Sequence, residues 1–358
     1  MQPARHRRKP GLSELNPFER LLRNVRPAIE RELKRELGLR EKEARKLGEP
    51  VSNMVAALTS LCLRGGKRLR AGLVAAGYQC VHESSALPRP VIQAGVALEL
   101  LQAYFLIHDD WMDRDEVRRG GPSVHSWLTT KIGDTHLGAA AGVLTGDYAL
   151  ALATHMLSRV PSPKQHAQGI WGCFARMQLD AVAGQQRDLL GAEDVLLTYR
   201  LKTASYSVHG PLELGARMAG AAAPLLRALK KFALPTGLAF QIRDDLLNAF
   251  GEPSVTGKPL GSDLTEGKRT LLVMTALNTL RGPARTAFLT AFNRRKATLR
   301  QRTLALEALQ ASGAVEVLEL EILKLAAAGE RALHSPRVPP AGRELLRAAT
   351  ASLLARNS

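Results

Sequence analysis

Apolar residues recur along most of the chain at intervals of three and four positions, the spacing that places them on one face of an α-helix. Between residues 91 and 108 they wrap nearly all the way round, as in a buried helix. Alternation of period two between hairpin turns is absent. The pattern predicts an all-α protein of about ten or more helices, at roughly 19–47, 51–63, 68–81, 91–108, 135–158, 165–190, 193–206, 225–250, 264–280 and 313–332, with a last one after Pro339–Pro340.

Glycine and proline clusters separate these helices. Loops are predicted at Gly65–Gly66 and at residues 119–122, 251–253 and 257–261. Neither an internal repeat nor a biased linker divides the chain, so we predict one domain over residues 17–358 behind a flexible basic tail over residues 1–16. The basic stretch 294–302 is expected to be a solvated helix face or a connector.

The composition supports a helical cytoplasmic protein. Alanine and leucine dominate the hydrophobic residues, which make up 45% of the 358 positions. Cys62, Cys80 and Cys173 are scattered without metal-binding spacing, which favours reduced thiols over disulfides or zinc. The basic N-terminus lacks an apolar segment behind it, and no run approaches the roughly 20 apolar residues of a membrane span. We therefore expect neither a secretory signal nor a membrane span.

Lysine and arginine number 50 against 33 aspartates and glutamates, giving a formal net charge of +17. Such a surplus suits an anionic partner, whether a nucleic acid, a membrane surface or a phosphorylated small molecule. Net charge alone does not choose among these three classes.

The first chemical signal lies where the apolar helix 91–108 ends. Asp109 and Asp113 are four positions apart, so their carboxylates share a helix face at the end where the helix dipole disfavours negative charge. A divalent cation would compensate for this charge, since Mg²⁺ binds a few carboxylates together with substrate phosphates. The alternative is a helix end that simply meets solvent.

A second apolar helix ends in the same way, with Asp244 and Asp245 in the segment 240–251. Here the position four residues after Asp244 is Asn248, a neutral and weaker metal ligand. Two such helix ends, each followed by a basic Gly/Pro loop, form a stronger signal for a metal site than either one alone.

Basic residues stand beside these features. The sequence Gly-Gly-Lys-Arg-Leu-Arg at 65–70 opens a helix, where free backbone N–H groups favour a phosphate. Isolated lysines are usually surface residues, but recurrence beside glycines and acidic helix ends favours phosphate binding. Besides those at 65–70, the basic residues beside glycines or acidic helix ends are Arg118, Arg119, Lys202, Lys258 and Lys268.

Together these motifs resemble the all-trans isoprenyl diphosphate synthases, the farnesyl and geranylgeranyl diphosphate synthases of the polyprenyl synthetase family. The likeness runs from about Gly65 to Thr270 through five ordered motifs. They are Gly-Gly-Lys-Arg-Leu-Arg at 65–70, Asp-Asp-Trp-Met-Asp at 109–113 with Arg-Arg-Gly at 118–120, Lys-Thr at 202–203, Gln-Ile-Arg-Asp-Asp at 241–245, and Gly-Lys at 257–258 with Lys268. The resemblance implies the isoprenoid synthase type I fold, with helices around a central cavity, and a homodimer.

The resemblance also implies a role for each matching residue. Three Mg²⁺ ions, with Mn²⁺ as a substitute, would bind Asp109, Asp113 and Asp244, supported from behind by Asp110 and Asp245. The catalytic residues would be Lys202, Thr203 and Gln241, of which Thr203 and Gln241 would face the reacting allylic carbon. The allylic diphosphate would bind Arg118, Lys202, Lys258 and Lys268, and isopentenyl diphosphate would bind Lys67, Arg70, Gln102 and Arg119.

The implied reaction is a head-to-tail (1'-4) condensation of isopentenyl diphosphate with dimethylallyl, geranyl or farnesyl diphosphate. Cleavage of the allylic C–O bond leaves a carbocation and places negative charge on the departing diphosphate, which metal ions and fixed cations stabilise. The departing diphosphate is the family's usual base. The chemistry needs no nucleophilic Ser or Cys.

Two alternatives remain open. Asp244, Asn248 and Glu252 follow an i, i+4, i+8 spacing that resembles the metal triad of class I terpene cyclases, although a cyclase leaves Lys67, Arg70 and Arg119 without a use. A nucleic-acid-binding helical protein would explain the net charge but not the paired acids, which repel phosphate. We expect no nucleic-acid partner. Ala71, where many relatives have proline, is a further departure of small expected effect.

Tyr104 and Phe105 bear on product length. They lie five and four residues before Asp109, about 6–7.5 Å below it at the helical rise. In the family, aromatic pairs here close the floor of the tunnel that holds the growing prenyl chain. We therefore expect a C15 farnesyl product, with C20 geranylgeranyl as the alternative and ordinary core packing as the alternative role of the rings.

Overall fold

The computed structural model describes residues 15–83, 86–161, 164–251 and 261–355. Within this part the chain is all-α, as predicted, apart from the two-residue strands β1 (Val117–Arg118) and β2 (Gly121–Pro122), which pair antiparallel. The helices, numbered in chain order, are α1 Pro17–Lys46, α2 Glu49–Leu63, α3 Leu69–Gln79, α4 Arg89–Met112, α5 Val124–Ile132, α6 Thr135–Ser158, α7 Lys164–Leu189, α8 Val195–Tyr199, the π-helix π1 Arg200–His209, α9 Gly210–Met218, α10 Ala223–Phe250, α11 Ser262–Glu266, α12 Leu271–Thr279, α13 Gly282–Leu289, α14 Leu299–Ala311, α15 Ala314–Leu333 and α16 Pro340–Leu354.

The first helix begins at a complete capping box. Asn16 accepts a hydrogen bond from the Glu19 backbone N–H, and the Glu19 side chain accepts one from the Asn16 N–H. The Asn16 amide also donates to Ser352 Oγ on α16, at 3.0 Å. Asn16, which we assigned to the tail, is therefore part of the folded domain, while residues 1–14 lie outside the described residues.

Two predicted helices differ from the structure. The segment 264–280 is divided into α11 and α12, because Gly267 takes a left-handed conformation (φ +79°) and Thr270 caps a new helix. The predicted helix 193–206 instead runs through α8 and π1 into α9. Periodicity also missed α5, α13 and α14. The basic segment 294–302 is a connector as far as Thr298, whose side chain caps α14.

Helix α10 runs through both hydrophobic cores of the described structure. Its first half buries Phe232 against the larger core, built mainly from α1–α7, α9 and α16. Its second half buries Ile242 in the smaller core around α12–α15, which includes Leu272 and Phe288. Residues 241–245 consequently lie in the half of α10 that joins the smaller core.

Helices α3 and α9 approach until their backbones touch. A Cβ atom on Gly77 would lie 2.0 Å from the Leu212 carbonyl oxygen, and one on Gly215 would lie 1.9 Å from the Val74 carbonyl oxygen. Only glycine fits at either position. Since α3 begins directly after the Gly65–Gly66 loop and α9 directly follows π1, this contact holds the basic loop close to the π-helix.

Two described helices, α4 and α6, are long and apolar enough to cross a membrane by length and composition alone. Neither helix contains an uninterrupted run of about 20 apolar residues, since α4 includes Glu99 and α6 includes Asp147, so the absence of a membrane span stays a prediction. The most apolar window of α4 is 67% buried within the protein and that of α6 is 39% buried, and a helix in a protein core passes the same test.

Candidate active site

A cavity of about 500 Å³ opens between α3, α4, π1, α10 and the turn after α11. Asp110 is buried behind its wall, Asp113 is buried beside it, and Lys258 lies outside the described residues. The predicted site residues that line the cavity are Lys67, Arg70, Gln102, Asp109, Arg118, Arg119, Lys202, Thr203, Gln241, Asp244, Asp245 and Lys268. The structure thus brings together side chains from motifs up to 200 positions apart.

The acidic end of α4 is paired with two lysines. Asp109 Oδ1 lies 3.1 Å from Lys202 Nζ, and Asp113 Oδ2 lies 2.7 Å from Lys268 Nζ. Burial raises the pKa of Asp109, but the combined charges of Lys202, Lys268 and Arg118 outweigh it and hold that pKa below its usual range. At Asp113 burial prevails over the attraction of Lys268, and the pKa is raised.

Asp110 holds an arginine in place beside Asp109. Its Oδ1 accepts a hydrogen bond of 2.6 Å from Arg118 Nε, and Arg118 also lies 3.2 Å from Asp115 and 3.8 Å from Asp109. Burial raises the pKa of Asp110 to about 6, against the opposing effect of Arg118. This geometry fits the predicted supporting role, since Asp110 orients a cation toward the cavity without facing it.

Lys202 and Thr203 lie in the π-helix, within the segment 193–206 that the sequence predicted as a helix. π-Turns are rare and are frequent at functional sites. Lys202 Nζ is 2.5 Å from Asp188 Oδ2 on α7, in addition to its contact with Asp109. Sequence reasoning missed Asp188. The one signal for it was an acidic residue near the C-terminal end of α7.

Small residues make room for the wide π-helix. A Cβ atom on Gly184 of α7 would lie 2.2 Å from the Lys202 backbone nitrogen, and one on Gly237 of α10 would lie 2.7 Å from Ala204 Cβ. The backbone that carries Lys202 is therefore clamped between two glycines, a constraint that periodicity does not reveal.

Gly184→Ala is expected to displace Lys202 and lower turnover at least about tenfold, with a loss of about 1–3 kcal/mol in unfolding free energy from overpacking. Steady-state kinetics and thermal unfolding check both. Gly172→Ala on the same helix is the matched control, because a Cβ there meets nothing within 4 Å. Equal turnover and equal unfolding free energy in the two variants would contradict the proposed role of Gly184 in positioning Lys202.

A chain of hydrogen bonds fixes the polar residues on α10. Thr203 Oγ1 donates to Gln241 Oε1 at 2.6 Å, and Gln241 Nε2 donates to Asp245 Oδ1 at 2.7 Å. Tyr199, which sequence reasoning missed, donates to the other Asp245 oxygen and accepts from the Leu271 N–H. Burial raises the pKa of both Asp245 and Tyr199. Asp245 therefore acts as an anchor for Gln241.

The basic loop between α2 and α3 has an unusual backbone. Gly65 and Gly66 have φ of +91° and +138°, and Arg68 has φ +53°. The Arg68 side chain is buried, 2.8 Å from Glu99 Oε2 and 2.9 Å from the Cys62 carbonyl oxygen. This ion pair, absent from the sequence-based predictions, secures the loop to α4.

Three cations of the predicted isopentenyl diphosphate pocket line the cavity next to this loop. Arg70 donates to Ser207 Oγ at 2.6 Å, with its guanidinium 4.6 Å from the centre of the Tyr206 ring. Arg119 has φ +51°, and burial lowers its pKa. Lys67 completes the group. The charges that shift the pKa of Arg119 include those of Arg68, Arg70 and Glu99, whereas Lys202, Lys268 and Arg118 act on the pKa of Asp109, so the cations fall into two groups.

The basic connector reaches the acidic end of α4. Arg295 donates to the Asp113 carbonyl oxygen at 2.6 Å, and the Asn293 N–H donates to the Leu264 carbonyl oxygen at 3.0 Å. We predicted this segment as a solvated face or connector, and sequence alone gave no signal for its contact with Asp113.

A smaller cavity, of about 170 Å³, lies below Asp109 between α4, α7 and π1. Tyr104 and Phe105 line it, as do Met112 and Val182. The Phe105 ring centre lies 4.7 Å from that of Tyr206, and the Tyr104 ring centre lies 4.7 Å from that of His108. Both rings line this cavity, and their role as a tunnel floor stays a prediction.

The donor set fits magnesium. Asp109, Asp113 and Asp244 offer hard carboxylate oxygens, and buried oxygens of Asp109 and Asp113 face ammonium groups instead of water. In the part of the chain that the structure describes, no three His, Cys, Asp or Glu side chains are grouped closely enough to hold an ion by themselves. An ion here needs further oxygens, which a diphosphate supplies.

The described residues thus form a helical fold with two acidic helix ends and two groups of cations around one cavity. The family model for polyprenyl synthetases matches residues 51–309, and the chain belongs to that family.

Relatives and a solved structure agree with this assignment. The short chain isoprenyl diphosphate synthase of Methanocaldococcus jannaschii is 34% identical over 226 residues, 62% of this chain and 65% of the relative. The (2E,6E)-farnesyl diphosphate synthase of Mycobacterium tuberculosis is 36% identical over 214 residues, 58% of this chain and 56% of the relative. The matches thus span less than two thirds of either relative.

The crystal structure of geranylgeranyl pyrophosphate synthase from Corynebacterium glutamicum, complexed with isoprenyl diphosphate and magnesium, has a TM-score of 0.85 and 32% identity. The similarity covers 96% of this chain and 100% of that one. The type I isoprenoid synthase fold predicted for the chain is confirmed. The names of these three proteins differ in product length, so similarity leaves that length open.

Proposed function

We propose that the protein catalyses the Mg²⁺-dependent head-to-tail condensation of isopentenyl diphosphate with an allylic diphosphate to give a short all-trans prenyl diphosphate. One observation carries this proposal. The cavity holds two acidic helix ends and, apart from them, a second group of cations. Two diphosphates repel each other strongly and need separate groups of cations to bind side by side.

In this proposal Asp109, Asp113 and Asp244 would hold magnesium, which would supply positive charge against the allylic diphosphate. Lys202, Lys268 and Arg118 contact the same diphosphate and stabilise the charge that develops on it as the C–O bond breaks. They are fixed before reaction by Asp188, Asp113 and Asp110.

Thr203 and Gln241 place side-chain oxygens beside the allylic carbon, in an orientation fixed by Asp245 and Tyr199. Isopentenyl diphosphate lies between Lys67, Arg70, Gln102 and Arg119, so that its double bond can attack the allylic carbon. A proton is then lost to the departing diphosphate. This arrangement gives Lys67, Arg70 and Arg119 a use, which the terpene cyclase alternative does not.

Incubation with labelled isopentenyl diphosphate and, in turn, dimethylallyl, geranyl and farnesyl diphosphate tests the function, with products separated by chromatography. Linear products longer by C5 units are expected, and chelation of Mg²⁺ should abolish them. A cyclic hydrocarbon, or no chain growth with any starter, would refute the proposal. Tight DNA binding with shallow Mg²⁺ dependence and no catalysis would favour the nucleic-acid alternative.

We further propose a C15 farnesyl product. Phe105 and Tyr104 are half-buried in the cavity below Asp109, and they limit the space available to a growing chain. Geranylgeranyl diphosphate, C20, is the alternative product.

The homodimer implied by the resemblance finds support in exposed apolar side chains on α6 and α7. Leu144 is 60% exposed and Leu179 is 67% exposed. We expect the double variant Leu144→Glu/Leu179→Glu to be monomeric in light scattering coupled to gel filtration, whereas wild type is dimeric. The control Leu320→Glu/Leu323→Glu changes equally exposed leucines on α15 and should stay dimeric. Identical masses for the two variants would contradict this interface.

A cytoplasmic location is proposed from the cysteines. Cys62, Cys80 and Cys173 are all free and buried. Burial raises the pKa of Cys62 and Cys80 to about 12, so these thiols stay protonated and unreactive at neutral pH.

A further inference from the structure

A second cavity, of about 550 Å³, lies between α7, π1, α9 and α10. It shares no lining residue with the candidate active site, although π1 borders both. Arg200, Leu201, Ser205 and His209 face the second cavity, whereas Lys202, Thr203 and Tyr206 face the first. The π-helix therefore forms part of the wall of both cavities.

Three exposed cations from three different elements stand around the second cavity. They are Arg176 on α7, Arg200 on π1 and Lys230 on α10. Within the described residues their side chains form no ion pair, unlike the lysines of the candidate active site. The half-buried Asp180 on α7 is the one acid near them that also lacks an ion pair in the described structure. The group keeps a surplus of positive charge.

The other acid in this cavity is already neutralised. Glu213 lies 3.0 Å from His209 Nε2 and 2.6 Å from an Arg217 nitrogen. Burial raises the pKa of Glu213, but hydrogen bonds from His209 and Arg217 outweigh it and lower that pKa to about 2. Glu213 therefore stays ionised and bound to its neighbours, and its charge is offset locally.

The lining between the cations is largely apolar. Cys173 and Met177 are buried in the wall on α7, and Leu201 and Leu234 contribute from π1 and α10. Such a cavity offers a positively charged rim around a small apolar interior. It suits an anion that carries a compact nonpolar part.

We propose that this cavity is a second ligand site, which binds a phosphorylated small molecule through Arg176, Arg200 and Lys230. The phosphate groups contact the three cations, because lysine and arginine on separate helices can surround tetrahedral oxygens. The remainder of the ligand packs on Met177 and Leu234. No bond is made or broken at this site.

Calorimetric titration of the full chain with inorganic pyrophosphate, in EDTA, tests the proposal. All variants carry Lys67→Ala/Arg70→Ala, which removes two cations of the proposed isopentenyl diphosphate pocket, and EDTA removes the metal ions that the proposed allylic diphosphate site would need, so both parts of the candidate active site are weakened. In this background we expect one remaining class of pyrophosphate site. Adding Arg176→Glu/Lys230→Glu should weaken that class at least about tenfold.

The matched control is Arg227→Glu/Lys231→Glu, which reverses two charges of exposed residues on α10 outside the cavity and should leave the affinity within about twofold. A further variant, Arg200→Gln, should also weaken binding. Equal losses in the two charge-reversed proteins, or no loss in either, would overturn the proposal. Because no turnover is measured, the result is independent of whether the chain proves to be a prenyl diphosphate synthase.

Discussion

Asp109→Ala is expected to lower kcat by on the order of 10³-fold, because it removes a metal ligand from the group that stabilises the leaving diphosphate. The surrounding cations keep Asp109 ionised, so it is ready to bind metal without losing a proton. Asp244→Ala, on the opposite wall of the cavity, should have a comparable effect. Steady-state kinetics at several Mg²⁺ concentrations provide the measurement.

Asp147→Ala is the control for this prediction, since Asp147 is 60% exposed on α6 and does not line the cavity. It should retain nearly the wild-type rate. Thermal unfolding distinguishes a loss of catalysis from a loss of fold. We expect the variant to stay folded, because Lys202 retains Asp188 as a counterion when Asp109 is removed. A near-normal rate for Asp109→Ala at saturating Mg²⁺ would refute its assignment as a metal ligand.

Phe105→Ala is expected to lengthen the main product by at least one C5 unit. The Phe105 ring packs on Tyr206 and lines the cavity below Asp109, so its removal should open space for a longer chain. Tyr104→Ala should act in the same direction, since Tyr104 lines the same cavity. Chromatography of products from geranyl and farnesyl diphosphate gives the measurement.

Tyr78→Ala serves as the control for product length. Tyr78 is a half-buried ring near the end of α3 that packs at a tilt against His82, and it lines neither of the two cavities next to the candidate metal site. Its product profile should match that of wild type. An unchanged profile in both Phe105→Ala and Tyr104→Ala would exclude these rings from the tunnel floor and leave them as ordinary packing residues.

Local spacing pointed to the acidic helix ends and to the basic loop, whereas the roles of Lys202, Gln241 and Gln102 were implied only by the resemblance. Asp109 and Asp113 are one helical turn apart, and the glycines before Lys67 signal a loop at a helix start. Such patterns involve residues a few positions apart and can be recognised in a single sequence. The all-α fold follows for the same reason, since helical periodicity is also local.

The residues that sequence reasoning missed depend on contacts between distant segments. Asp188 matters because α7 brings it to Lys202, and Glu99 matters because the loop before α3 directs Arg68 onto it. Tyr199 gains its role from Asp245, 46 positions later. The π-helix is a similar case, because its widened backbone relies on Gly184 and Gly237 in other helices.

Asp109 and Asp188, the two carboxylates that contact Lys202, have different roles in the proposed reaction. Asp109 lies on α4 and is one of the residues that would hold magnesium. Asp188 lies on α7, is not among the proposed metal ligands, and lies 2.5 Å from the ammonium group. In the proposed reaction Lys202 would exchange its contact with Asp109 for a phosphate oxygen while Asp188 kept the lysine in position. Asp188 would then be a permanent counterion, which would spare Lys202 reorganisation between the empty and the substrate-bound site.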